Sequence, residues 1–306
     1  MSSILGATVL ILLILIVAVV LYNERPAAAA ARAEAAAPAP MAADLPGFRS
    51  DAWYLPDDSM LGFVEVTAGP FLMGSDPSVD PAAFDNERWS ETMAQGSIDL
   101  PTFYIGRTEV TVAQFAEFVA DTGYAADSLA VRGIPTHPVT SVSWTDALAY
   151  ARWLDSELRS SPATPESLRE LLESGWKVTL PDEAQWEKAA RGTDGRVFPW
   201  GNDLRDDRAN FQSRSTVPVG SIACPECAYG LADMSGNVWE WTRSPFQPLP
   251  FDPSDDRTGL QGDALWVMRG GAFSDPANLN RAAVRGGADP GARRPFIGFR
   301  VALTRG

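Results

Sequence analysis

The residues of this chain best spaced to do chemistry are two carboxylates on either side of a glycine. They lie in Gly230-Leu231-Ala232-Asp233-Met234-Ser235-Gly236-Asn237-Val238-Trp239-Glu240-Trp241-Thr242. A turn at Gly236, where the backbone needs positive φ or close approach, lets Asp233 and Glu240 face each other and share a hard cation through oxygen. The alternative is a plain turn into a core strand, with Trp239 and Trp241 supplying buried area. Either way Val238–Thr242 alternates apolar and polar groups, as a half-buried strand does. A second pattern is Cys224-Pro225-Glu226-Cys227, a spacing shared by redox couples, half zinc sites and local disulfides. Zinc would need two further ligands, and the chain has only these two cysteines and one histidine, His137. A redox couple opens a helix, whereas this pair runs into a loop. For a domain outside the cytoplasm the expectation is a disulfide that staples the loop. A single imidazole rules out any site built from several, and a structural hydrogen bond is the expected role of His137.

The elements that must position these groups follow from composition and pattern. The chain has 306 residues, 45% apolar content and ten tryptophans, ample for a buried core. Its net charge of −14 excludes a nucleic-acid partner, because no basic patch dominates. Residues 4–22 are an unbroken apolar run without a charge, long enough to cross a bilayer as a helix, and are read as a single-pass anchor. Residues 23–58 are an Ala/Pro-rich tether that holds the remainder off the membrane. Residues 59–306 form one globular domain.

Within that domain, Phe63–Val66 and Phe71–Gly74 read as strands about the Ala68-Gly69-Pro70 turn, and Phe103–Ile105 as another. Thr111 caps a helix running through Val119. Val142–Leu158 is a second helix, capped by Ser143 or Thr145. Residues 162–172 form a short polar helix. Pro181-Asp182-Glu183 opens a further helix, with proline first and acids in its first turn. Beyond it, Gly, Pro and Asn punctuate only short strands. Two or three helices beside a small sheet, with much ordered loop, is the coarse expectation, and no repeat is visible.

The order of motifs resembles a known family. It runs Phe71-Leu72-Met73-Gly74-Ser75, Glu109-Val110-Thr111, His137-Pro138-Val139, Val142-Ser143-Trp144 and Leu180-Pro181-Asp182-Glu183-Ala184-Gln185-Trp186-Glu187. It continues through Phe198-Pro199-Trp200-Gly201-Asn202, Gly236-Asn237-Val238-Trp239-Glu240-Trp241, Arg269-Gly270-Gly271-Ala272-Phe273 and Gly298-Phe299-Arg300. This is similar to the formylglycine-generating enzyme, or sulfatase-modifying factor, superfamily over residues 60–303. The resemblance implies an α+β domain with a C-type-lectin-like fold, low in regular structure and calcium-bound. Calcium ligands carried over by position are Asp233, Gly236, Val238 and Glu240, the middle two through their carbonyls, and, at a second site, Asn210 and Phe211.

The family's chemistry does not carry over with its scaffold. The sulfatase-activating members hold copper with two cysteines shortly after Arg-Gly-Gly, since copper(I) needs soft thiolates. The run Ser274–Arg281 here has no thiol. The related iron enzymes need three histidines, and one exists. Copper is therefore not expected, and calcium is expected as a structural ion.

The family's active face falls on residues Ser274, Asp275, Asn278, Asn280, Arg281, Arg285, Asp289, Arg293 and Arg294, where guanidinium forks suit carboxylate or phosphate recognition. The corresponding groove in the family takes an extended peptide. The resulting expectation is a non-catalytic, membrane-anchored binding or assembly subunit. It would hold a protein or peptide partner, with the domain on the extracytoplasmic (periplasmic) side. Two alternatives stay open. One is an oxidoreductase or protein-modifying enzyme with an unrecognised site, the other a calcium-dependent lectin-like receptor.

Overall fold

The computed structural model describes residues 44–252 and 264–305. The expected anchor, residues 4–22, and the first part of the tether lie outside the described residues. No helix among the described residues is long and apolar enough to cross a membrane. Residues 44–58, placed in the tether by composition, instead pack on the domain. Strands β1 (Phe48–Arg49) and β2 (Leu55–Pro56) pair antiparallel, and Ala52, Tyr54 and Leu55 are buried.

The centre of the domain is a four-stranded antiparallel sheet of order β3-β6-β12-β7. Its strands are β3 (Phe63–Val66), β6 (Phe103–Gly106), β7 (Trp176–Thr179) and β12 (Ala302–Arg305). Both faces are covered at the centre of the sheet, while Glu65, Lys177 and Arg305 reach solvent from its strands. One face packs on helices α1 (Val112–Thr122) and α2 (Trp144–Ser160) through Phe115, Phe118, Tyr150, Leu154, Val178, Val301 and Leu303. The other face carries Val66, Phe103, Ile105 and Ala302 and packs on Ala184, Trp186 and Ala189 of α4 (Glu183–Arg191). Neighbouring residues of one strand, Ala302 and Leu303, thus enter different cores, as a period of two requires.

Helix boundaries follow their caps. Thr111, Ser143 and Asp182 each accept from the backbone N–H three residues on, and Gln114, Asp146 and Gln185 reach back to the cap N–H. These are three capping boxes. Thus Ser143 rather than Thr145 caps α2, and Pro181, expected to open α4, lies just before its cap Asp182. Between α2 and β7 lies the short helix α3 (Glu166–Glu173). Strands β3 and β4 (Gly69–Met73) flank the expected turn but do not pair with each other; β4 pairs with β5 (Gly96–Leu100) in its own two-stranded ribbon.

A second sheet, of order β10-β9-β8-β11, carries the central motif. It comprises β8 (Trp239–Pro245), β9 (Trp266–Arg269), β10 (Arg285–Ala288) and β11 (Ile297–Gly298). β11 runs parallel to β8; the other pairings are antiparallel. The strand β8 is not half-buried, as its alternation suggested. Trp239, Glu240, Trp241 and Thr242 are all buried, because Glu240 and Thr242 face polar partners inside the protein rather than water. Between α4 and β8 the only helical turn is a 3-10 turn at Ala228–Gly230, so the site is approached through irregular backbone.

Candidate functional site

Backbone geometry concentrates at the motif. Asp233 and Asn237 sit at φ 57° and 62°, and Gly236 at φ 81°. A methyl group on Gly236 would lie 2.3 Å from the Asn210 carbonyl oxygen, so only glycine fits there. Gly236 N–H donates to the Gly270 carbonyl at 2.7 Å, and Asn237 N–H to the Asn210 carbonyl at 2.8 Å. The turn is thereby tied to the Arg269-Gly270-Gly271 segment on one side and to the 210–217 loop on the other. The Asn237 side chain, fully buried, donates to Glu109 Oε1 at 3.1 Å and accepts from Val217 N–H at 3.0 Å.

Glu240 lies at the bottom of the turn and is fully buried. Its carboxylate takes both guanidinium nitrogens of Arg300, at 2.6 and 2.7 Å, and the Trp186 indole N–H at 2.8 Å. Arg300 also donates to the carbonyls of Gly106 and Ala232 at 3.0 Å each. Two further carboxylates converge on this pair. Asp233 accepts from Gly220 N–H at 2.6 Å and lies beside Glu109. The second Glu109 oxygen is buried and has no hydrogen-bond partner. Burial, and then the charges of Asp233 and Glu240, push Glu109 well above the usual carboxylate range; burial raises Asp233 as well. Three carboxylates thus share one buried guanidinium. An excess of buried negative charge is unfavourable unless protons or a cation offset it.

The four positions expected to hold calcium do not stand free for a cation: Glu240 gives both carboxylate oxygens to Arg300 and Trp186, and Asp233 accepts from Gly220. Gly236 and Val238, the two residues expected to offer their carbonyls, are both buried. No three His, Cys, Asp or Glu side chains among the described residues gather closely enough to hold a metal ion by themselves. A cation here would therefore depend on the carbonyls, as a calcium site permits. Glu109 is the group the sequence reading missed. Its signal was the Glu109-Val110-Thr111 motif, which the sequence offered as a mark of the family without a role for the carboxylate.

The second expected site does not fit. The Asn210 side-chain oxygen accepts from Ser213 Oγ at 2.6 Å and its backbone carbonyl from Asn237 N–H, while its amide donates to the Ser215 carbonyl at 3.0 Å. Hydrogen bonds occupy Asn210 where a cation ligand was expected. Phe211, next to it, lies in the same shortened loop.

The expected binding face divides in two. Asn280, Arg281 and Arg285 are buried and leave it. Arg281 pairs with Asp80 and with Glu87 (2.7 and 2.8 Å) and lies over the Phe84 ring. Arg285 forks onto Glu183 at 2.5 and 2.8 Å and lies over Phe246. In the run Arg281–Arg285 the two arginines point into the protein, where they anchor the 75–95 loop. Ser274, Asn278 and Arg294 are exposed, and Arg293 is an outlying partner of Asp146 at 2.9 Å. Asp275 stands shortly after the Arg-Gly-Gly turn. It accepts from the Trp239 indole N–H at 2.7 Å and from Ala272 N–H at 3.0 Å, which makes it a structural acceptor. A groove of about 730 Å³ opens between the loop at Asp85–Glu91 and the segment Phe246–Leu249, with Arg285 at its floor.

Cys224 and Cys227 form a disulfide with a Cα separation of 5.3 Å. His137 Nδ1 is 2.8 Å from Thr216 Oγ1, the structural hydrogen bond expected for it. Burial lowers the basicity of this ring.

Comparison with known proteins agrees with this architecture. The model of the sulfatase-modifying factor enzyme 1-like domain matches residues 55–305. A hercynine oxygenase of Mycolicibacterium smegmatis is 30% identical over 285 residues, covering 78% of this chain and 60% of that protein. The chain thus spans under two thirds of that relative's length. A formylglycine-generating enzyme of Streptomyces coelicolor is 30% identical over 311 residues, covering 80% of this chain and 90% of that protein. Among solved structures, PvdO from Pseudomonas aeruginosa superimposes with a TM-score of 0.64 at 24% identity, over 85% of this chain and 99% of that one. That likeness speaks to the fold.

Proposed function

Because this chain belongs to the sulfatase-modifying factor enzyme 1-like domain family, we propose that it uses the family scaffold to bind rather than to catalyse. The observation that carries this reading is the segment after Arg269-Gly270-Gly271. There Asp275 is held by Trp239 and Ala272, no thiol is present, and the chain's only two cysteines are spent on a disulfide elsewhere. Copper chemistry of the formylglycine-generating kind needs a thiolate pair at that place. Iron chemistry built on three imidazoles finds a single histidine, itself bonded to Thr216.

The proposed role is an accessory or assembly subunit that holds a protein or peptide partner. The groove floored by Arg285, together with the exposed Ser274, Asn278, Arg293 and Arg294, is the contact surface. A calcium ion at Asp233, Gly236, Val238 and Glu240 is part of the proposal, and to take it Glu240 must release the Arg300 guanidinium. The apolar run at 4–22 anchors the chain to a membrane, with the domain on the extracytoplasmic side, where the Cys224–Cys227 disulfide persists.

The test is co-purification of the full chain from native membranes in mild detergent with calcium present. Mass spectrometry is expected to find one partner in stoichiometric amount. Recovery of the chain alone, together with oxidation of a cysteine-containing peptide by the copper-loaded protein, would replace this reading with an enzymatic one.

A further inference from the structure

Among the described residues, the second sheet leaves one of its edges open. In the order β10-β9-β8-β11 the edge strands are β10 and β11, and an edge strand offers a row of backbone N–H and C=O groups to a further chain. The β11 edge is shut. Ile297 and Gly298 are buried, and the Val139 carbonyl oxygen lies 2.5 Å from where a Gly298 Cβ would sit. The central sheet guards its edges by other means. On β7 the Val178 N–H donates to Asp155 at 2.8 Å beside the exposed Lys177, and β3 carries the exposed Glu65. Such charges and side-chain plugs oppose the addition of a strand.

Strand β10 has neither device. After Arg285 it reads Gly286-Gly287-Ala288, with Gly287 exposed and its two neighbours half-buried. Rings support the strand from beneath: a Cβ on Gly286 would lie 2.9 Å from the Trp239 ring, and one on Gly287 3.0 Å from the Phe246 ring. The strand also leads out of the groove described above, since Arg285, its first residue, and Phe246 both line that groove. Arg285 itself is spent. Its Nε and Nη2 donate to Glu183, its Nη1 to the Asn86 carbonyl at 3.1 Å, and its Nη2 also to the Gln247 carbonyl at 2.8 Å. It ties the two walls of the groove together rather than waiting for an anionic ligand. Recognition at this place falls to the backbone edge.

We infer that β10 is the docking edge for the partner, which adds an extended segment of its own chain as a further strand beside Gly286–Ala288 and continues into the groove past Arg285. The occupant is a polypeptide in β conformation, because an extended backbone repeats its donors and acceptors at the rise of a strand, about 3.3 Å per residue. Pairing of this kind draws affinity from the main chain, and the groove then selects among side chains.

This inference rests on the binding reading above, and the test separates the two. The probes are capped heptapeptides, Lys-Thr-X-Thr-X-Thr-Lys with X as Val, Leu or Phe, and the same peptides N-methylated on one or the other alternate set of residues. They are added to the full chain in mild detergent, and amide hydrogen exchange is followed by mass spectrometry. Any partner complex recovered by co-purification is measured in the same way. The expected result is slowed exchange at residues 285–288 with peptide or partner bound, and affinity about tenfold weaker for one of the two N-methylated sets. Gly287→Pro, which bars a neighbouring strand, should weaken binding as much; if it does not fold, the N-methylated peptides decide on the native chain. A co-purifying partner that leaves 285–288 unprotected, or peptides that bind equally with and without N-methylation, would overturn the docking edge and leave the binding reading. A chain that recovers no partner and takes no peptide would remove both. A dimer of this chain that protects 285–288 would put a second copy in the partner's place and overturn the assignment.

Discussion

Buried charge governs this protein at the scale of single residues. Arg300 and Glu240 are both fully buried and satisfy each other through a two-pronged bond, so removing one partner strands the other's charge in the interior. Such a loss costs about 3–5 kcal/mol. Glu240→Gln, which keeps the volume and removes the charge, should therefore lower the urea midpoint sharply in the presence of a chelator. The exposed pair Arg169–Glu166 provides the contrast, and Glu166→Gln should leave the midpoint within error. His137, half-buried, offers a direct reading of another polar group. As the only imidazole it gives one titrating proton resonance, whose midpoint should fall below the ordinary value near ~6.5, since burial disfavours its charged form. The sign for stability follows. A depressed histidine pKa means the unfolded chain takes up the proton first, so the contribution of His137 is intact above the ordinary value and is lost as pH falls through it.

At the scale of elements, turns and caps decide where the regular structure begins. Thr111 accepts from Gln114 N–H and Gln114 reaches back, so α1 starts where this exchange is made. Thr111→Ala should cost about 1 kcal/mol, read as a drop in denaturation midpoint without a change in slope. Two glycines with positive φ distinguish strain from collision. Gly123, at the end of α1, has open space where a Cβ would go, and Gly123→Ala should lose only the left-handed penalty of about 1–2 kcal/mol. Gly236 has the Asn210 backbone in that space, so Gly236→Ala should fail to give folded protein. Equal stability of the two variants would mean that the turn yields more easily than its contacts indicate.

Across the whole molecule, the Asp233–Glu240 segment bonds the Gly270 carbonyl, the Asn210 carbonyl and, through Asn237, Glu109, so a cation there would stabilise the domain as a unit. Chelation should lower the melting temperature in one cooperative step, and calcium at about 100 times its dissociation constant should restore about 2.7 kcal/mol. Two separate transitions, or no response, would mean that hydrogen bonds alone hold this junction. The Asn210 hub, bonded to Ser213, Ser215 and Asn237, shows how hydrogen bonds perform that task in the neighbouring loop.

Legible in the amino-acid sequence alone were the strands Phe63–Val66 and Phe103–Ile105, the helices with the Thr111 cap, the family, and the turn at Gly236. Each is a local property: period, capping chemistry, φ at one residue, or motif order. Tertiary structure decided everything that joins distant segments. The alternation in Val238–Thr242 predicted a solvent face, yet Glu240 finds Arg300 and Trp186 inside the protein, 60 and 54 residues away. Arg281 and Arg285 looked like ligand-binding forks because arginine serves surfaces and buried ion pairs alike. Only the position of Asp80, Glu87 and Glu183 across the fold distinguishes the two roles. Glu109, more than a hundred residues upstream, joins Asp233 and Glu240 for the same reason. A carboxylate's environment is set by what the folded chain places beside it, and no spacing along the sequence records that.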